Sequence, residues 1–190
     1  MKMLSVSDTL PHWMVDFAWY HDAILIPGSG ENERLSAELY AKHVGAFMDP
    51  ITGLMVFPSR PLENAHKAIL ATENPLLNTH PPMLDVCLDA DASVLGAPRE
   101  EYLEYCFGLE SEYFMYYMHT KSAMDMFTKK DILKMFLIER KRTVNDLLNF
   151  LDGGGRIFKT EIGSSLWEDR ALKNLREEQD SLQKRLRTLA

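Results

Sequence analysis

The chain has 190 residues, 46% apolar and 26% charged, proportions that fit a folded domain with a sizeable core. Its 28 acids outnumber 21 basic residues, for a net charge of −7. This argues against a partner such as a nucleic-acid polymer or an anionic membrane, because phosphate neutralisation needs a positive field; a small phosphorylated molecule stays open, since a bound cation inverts the local potential.

The N-terminal "MKMLSVSDTLPHW" has one lysine and no signal-peptide core, and no apolar run approaches the roughly 18–20 residues of a bilayer span, so a cytoplasmic protein is expected. Period-2 alternation is scarce and helical periodicity frequent, which predicts an all-α single domain over residues 1–190, with its core at about 11–189. Pro11 suits a first helical position, with Trp13, Met14, Phe17 and Tyr20–His21 on one stripe. After "PGSG", Leu35, Leu39 and Val44–Phe47 predict a second helix that Asp49-Pro50 and Gly53 end. Ser59 and Pro61 open a third, running to about Thr72 with Leu62, Ala65, Ile69 and Leu70 inward.

The stretch "ENPLLNTHPP" reads as a loop and "MLDVCLDADASVL" as a short helix stopped by Gly96. Pro98 precedes an aromatic-rich helix. Its aromatics at 102, 105, 113, 116 and 117 have the chemistry to stack a base, but helical spacing favours core. Thr128 and Asp131 form a capping box before "ILKMFLIERKRTVNDLLNFL", and Gly153-Gly154-Gly155 breaks the chain. Ser165 and Glu168 read as a second capping box, opening a long C-terminal helix whose stripe of Leu172, Leu175, Leu182, Leu186 and Leu189 has Gln179 as its polar intruder. Cys87 and Cys106 lack CxxC spacing and lie in apolar surroundings, the pattern of reduced, buried thiols.

Two acidic groups carry the chemistry. His21 and Asp22 are adjacent, and an imidazole beside a carboxylate can hold one divalent cation if other ligands arrive from elsewhere. Asp85 and Asp89 lie four apart on one helix face, whereas Asp89 and Asp91 cannot share a face, so one of the latter pair points inward. An inward acid near Leu88, Val94 and Leu95 needs a partner: a cation shared with His21 and Asp22, or a helix start or arginine that Asp91 serves.

In order along the chain stand "WYHDAI", "ENERLSAE", "AILATE", "LDADASVLGA", "YLEYCFGLESEY" and "EDRALKNLREEQDSL". Together, over about residues 13 to 185, they resemble the bacterial family of metal-dependent HD-superfamily phosphohydrolases. The resemblance implies a single HD-domain-like helical bundle. It also implies metal-ligand positions at His21, Asp22 and Asp91, with Glu33 nearby as a catalytic or water-orienting acid and Asp22 bridging cation and water. The implied cofactor is a divalent metal ion (Mn, Mg, Co, Zn or Fe), and the implied substrate a small phosphate ester or nucleotide.

The chain departs from the family's pattern at several points. The family's first histidine belongs to a "YH…H" segment ahead of the HD helix, and this chain begins after it. His12, nine residues before His21, would lie about 14 Å away along a shared helix. A histidine expected shortly after the "AT" segment is absent, leaving His66 and His80 as further candidate ligands, with Asp89 as a third. Glu110 stands where the family has an arginine, Lys130-Asp131 where it has "GR", and "TVNDLLNFLDGGGR" lies outside the pattern. An alternative function is therefore a degenerate, non-catalytic HD fold serving as a binding or oligomerisation module, a homodimer contact being expected around Trp13, Phe17 and Tyr20 where N-terminal helices are missing.

Overall fold

The computed structural model describes residues 11–76, 80–119 and 127–189. The leader-free reading of residues 1–10 lies outside them, as does the middle of the loop expected over 73–82. The fold is all-α, with one two-residue strand pair among the described residues, and no helix there is long and apolar enough to cross a membrane. The chain divides into two compact units, Met1–Leu88 and Asp89–Ala190.

The first unit is built on α1 (His12–Tyr20), α2 (Asn32–His43) and α3 (Arg60–Ala71), followed by a 3-10 turn (Pro82–Leu84) and the start of α4 (Asp85–Ala92). Trp13 and Phe17 of α1 are buried with Ala37 and Tyr40 of α2, Ala65, Ala68 and Ile69 of α3, and Leu84, Cys87 and Leu88. The apolar face expected to lie uncovered at Trp13 and Phe17 is thus closed by this chain's own residues, at 7% and 4% exposure. Alanines at four helix positions of this core, Ala37, Ala65, Ala68 and Ala71, let the backbones approach, and the Tyr40 hydroxyl donates to Asp16 Oδ2 at 3.0 Å, tying α2 to α1.

Helix α3 follows the expected bounds, with Ser59 as N-cap and Thr72 as C-cap. Helix α2 does not. It buries Ser36, Ala37, Tyr40 and Ala41, leaves Leu39 exposed, and ends at His43, short of Phe47. Gly45, at φ +73°, reverses the chain in a conformation that costs glycine little, and Phe47–Met48 (β1) then pairs antiparallel with Met55–Val56 (β2). With two residues per strand, the alternation that marks a strand in sequence has no room to develop.

The second unit holds the end of α4, a 3-10 turn (Ser93–Gly96), α5 (Arg99–His119), α6 (Lys129–Asp152) and α7 (Glu161–Leu189). The Thr128–Asp131 capping box forms as expected: Thr128 Oγ1 accepts from Asp131 N at 3.2 Å and Asp131 Oδ2 accepts from Thr128 N at 2.8 Å. The second expected box does not form, because α7 begins at Glu161, four residues before Ser165. Thr160 Oγ1 accepts from Gly163 N at 2.9 Å, while Glu168 turns back to accept from Ile157 N and Phe158 N at 2.8 and 3.2 Å.

The inner face of α7 is more polar than its leucines suggest. Leu175 and Leu182 are buried, and so are Asn174 and Glu178. Asn174 Nδ2 donates to the carbonyls of Leu95 and Ala97 at 2.9 and 3.0 Å, satisfying the end of the 3-10 turn. Gly96 in that turn presses on Trp167, where a Cβ would stand 2.7 Å from the Trp167 carbonyl oxygen. Glu178 accepts from Arg140 Nε and Nη2 at 2.8 and 3.0 Å and from the Tyr102 hydroxyl, joining α5, α6 and α7 through one buried carboxylate. Of the stacking candidates, Tyr102 and Tyr113 are core and Tyr116 is exposed.

Candidate functional site

His21 stands at the C-cap of α1, where the helix that buries Phe17 delivers it. Its ring stacks on Phe17 with centroids 5.0 Å apart, and its Nδ1 lies 3.3 Å from the Phe17 carbonyl oxygen. A carbonyl oxygen only accepts, so Nδ1 carries the proton in this contact and Nε2 is turned outward. Nε2 lies 3.3 Å from Asp22 Oδ2, with the side chains 22% and 66% exposed. A proton on Nε2 makes this a hydrogen bond to the carboxylate; without that proton both atoms offer lone pairs, the arrangement that suits a cation. Hydrogen bonding to His21 holds the Asp22 carboxyl below the usual carboxylate range, against a smaller opposing effect of burial.

The loop leaving this pair is fastened to α2. Ser36 Oγ accepts from Ile24 N at 3.0 Å, and Asn32 makes a two-way contact with Ile26, accepting from its N at 2.9 Å and donating to its O at 3.1 Å. Asn32 and Ser36 both belong to the "ENERLSAE" segment, so two of its residues shape the loop that follows His21-Asp22. The family resemblance implies a role for Glu33 in this segment and none for Asn32 or Ser36. A polar side chain just before or within a helix, facing a glycine-bearing loop, was the available signal. Glu33 itself lies half-buried in the first turn of α2.

The remaining candidates take different positions. Asp89 is the inward acid, at 3% exposure. Its Oδ1 accepts from Lys159 N at 2.5 Å, and its Oδ2 from Thr160 N at 2.9 Å and from Thr160 Oγ1 at 2.5 Å. The carboxylate that meets a helix start is therefore Asp89, at the head of α7. Asp91, half-buried, lies two residues on and about 200° round α4 from that contact. His66 is half-buried on α3, its ring 4.8 Å from that of Phe57, and burial pulls its pKa down. His80 Nε2 contacts the Asn74 carbonyl at 3.0 Å. His12 begins the helix that His21 caps and is exposed, so the two are separated by its full length.

Both cysteines are free thiols. Burial pushes the Cys87 thiol up to about 12 and Cys106 up to about 11, so neither has the thiolate character of a nucleophile at neutral pH.

Comparison with family models, with curated proteins and with solved structures finds no match for this chain.

Proposed function

We propose that the protein is a metal-dependent phosphohydrolase of the HD type, acting on a small phosphate ester or nucleotide. The observation that carries this reading is the setting of His21. Its Nδ1–H is spoken for by the Phe17 carbonyl, its ring is pinned on Phe17, and its Nε2 is presented beside Asp22 Oδ2. A backbone acceptor on one ring nitrogen is the usual companion of a histidine that binds metal through the other.

The residues that would hold the cation are His21 and Asp22, with Asp91 as the third ligand that the sequence resemblance assigns. A divalent ion held so supplies a lowered pKa for water and neutralises phosphoryl oxygens. His21 fixes direction through its Phe17 contact. Asp22, with its side chain 66% exposed, leaves an acceptor oxygen open to solvent for orienting an attacking water. Glu33 takes or returns a proton from the first turn of α2. Asp89 stays out of the ligand set in this reading, because both its oxygens already serve the head of α7.

The test is metal analysis of protein purified without chelator, with phosphate release from nucleotides and simple phosphate esters assayed in Mn²⁺, Mg²⁺, Co²⁺, Zn²⁺ or Fe²⁺. About one equivalent of divalent ion per chain is expected, with turnover falling by about two orders of magnitude in His21→Ala and Asp91→Asn. Metal binding unchanged in Asp91→Asn would remove that residue from the ligand set. Protein that takes up no metal and releases no phosphate would overturn the proposal.

A further inference from the structure

The β1–β2 hairpin of the first unit is anchored at its base, where the Phe57 ring lies 4.8 Å from that of His66 on α3. Beyond that anchor Phe47, Met48, Ile51, Leu54 and Val56 are all exposed, Ile51 at 91% and Leu54 at 67%. The turn between the strands is fully closed by its own bonds. Asp49 Oδ1 accepts from Ile51 N and Thr52 N at 2.7 and 3.1 Å, and Gly53 N donates to Asp49 O at 2.8 Å.

The strand register fixes which backbone groups point away from the hairpin. Asp49 N donates to Leu54 O at 2.9 Å, so Asp49–Leu54 and Phe47–Val56 are hydrogen-bonded pairs and Met48–Met55 between them is not. The N–H and C=O of Met48 therefore face the outer edge of β1, and those of Met55 the outer edge of β2. Leu54 and Val56 put their side chains on one face. Residues 44–59 contain a single charge, Asp49, in a chain that is 26% charged. Exposed edges are ordinarily guarded by lysine or proline, yet β2 and its flanks read Leu54-Met55-Val56-Phe57. Two strands alone also make a marginal sheet.

We propose that β2 pairs, edge to edge and antiparallel, with β2 of a second copy of this chain about a two-fold axis at Met55. The two Met55 residues then exchange both N–H···O=C bonds, and Leu54 of each copy opposes Val56 of the other, an apolar cross-strand pair made twice. The same construction on β1 would set Phe47 against Asp49, which selects β2. The apolar area exposed on the hairpin is roughly 600 Å², large for a patch on a monomer but below the ~800 Å² per partner of a standard interface, so the dimer is a weak one. This contact is distinct from the Trp13–Phe17 face, which the chain buries itself, and it does not rest on the phosphohydrolase reading.

Sedimentation equilibrium of the full chain, from about 1 to 500 µM, is expected to show monomer and dimer with a Kd on the order of 10–100 µM. Met55→Pro removes an N–H that the hairpin itself does not use and should weaken association by about tenfold or more. Met48→Pro makes the same change on the other edge and should leave it within about twofold. Leu54→Lys, at an exposed position, should also weaken it by about tenfold or more. Circular dichroism and thermal melting establish which variants are folded. If none is, amide exchange in the unmodified protein decides, with Met55 N–H slowed at high concentration and Met48 N–H unchanged. A chain that stays monomeric up to about 500 µM, whether or not it floats with neutral lipid vesicles, would overturn the proposal. So would a dimer that folded Met55→Pro or Leu54→Lys keeps within about twofold, a dimer that folded Met48→Pro loses, or Met55 exchange that ignores concentration.

Discussion

Asp89 shows how much one carboxylate can organise. It accepts from two consecutive backbone N–H groups and a hydroxyl at the start of a 29-residue helix, where the helix dipole also favours a negative charge. Gly163 is the matching concession on the helix, since a Cβ there would overlap Asp89 Oδ2. Asn at position 89 keeps one acceptor but turns an NH2 group toward backbone donors. Asp89→Asn should therefore lower stability by about 2–3 kcal/mol in urea or guanidinium unfolding. A loss under about 0.5 kcal/mol would mean that the head of α7 is held by Thr160 alone. From sequence, the spacing of Asp89 and Asp91 established that one acid turns inward. It could not say which, because the deciding donors lie 70 and 71 residues further along the chain.

Among the elements, α6 was the most legible because its start signal is local. Thr128 and Asp131 answer each other across three residues, and the box forms as read. Thr128→Ala should cost about 1 kcal/mol, checked by chemical denaturation. The hydrogen bond from the Thr128 side chain, and then that from its backbone, hold the Asp131 carboxyl below its ordinary value. A depressed folded-state pKa makes this contribution full above the ordinary carboxylate range, and it fades as pH falls through the lower folded value. The stability gap between the protein and Thr128→Ala should thus narrow under strong acid, and a gap that widens there would contradict the assignment. The start of α7, by contrast, is set by contacts that are not local to it. Glu168 resembles a capping residue for Ser165, but it serves the backbone at 157 and 158, ahead of the helix. Helix α2 was carried too far because Val44 and Phe47 continue its apolar spacing, and only the left-handed backbone at Gly45 ends it.

At the scale of the whole molecule, the all-α fold and the order of its helices were legible, since 3.6-residue periodicity and Gly/Pro breaks are local properties. The candidate site was legible only as residue identities. Nothing local says that Phe17 fixes the His21 tautomer or that Asn32 and Ser36 hold the loop behind it. Several letters of the segments that carry the family resemblance have structural duties here: Asp89 and Gly96 in "LDADASVLGA", and Glu168, Asn174 and Glu178 in "EDRALKNLREEQ". A pattern of this kind encodes the scaffold at least as strongly as the chemistry.

The Asp89 contact also constrains the order in which the second unit assembles. It joins residues 70 apart, and closing a loop of that length costs on the order of 4 kcal/mol in chain entropy before any bond repays it. The turns within α5, α6 and α7, by contrast, form between near neighbours. The carboxylate should dock on the head of α7 after the folding barrier is crossed, acting as a latch that slows opening. In stopped-flow measurements, Asp89→Asn should then accelerate unfolding by most of its stability loss while leaving the folding rate within about twofold. A comparable slowing of folding would move the latch into the nucleus. In the expected case, the lifetime of the folded second unit is set by a residue that takes little part in forming it.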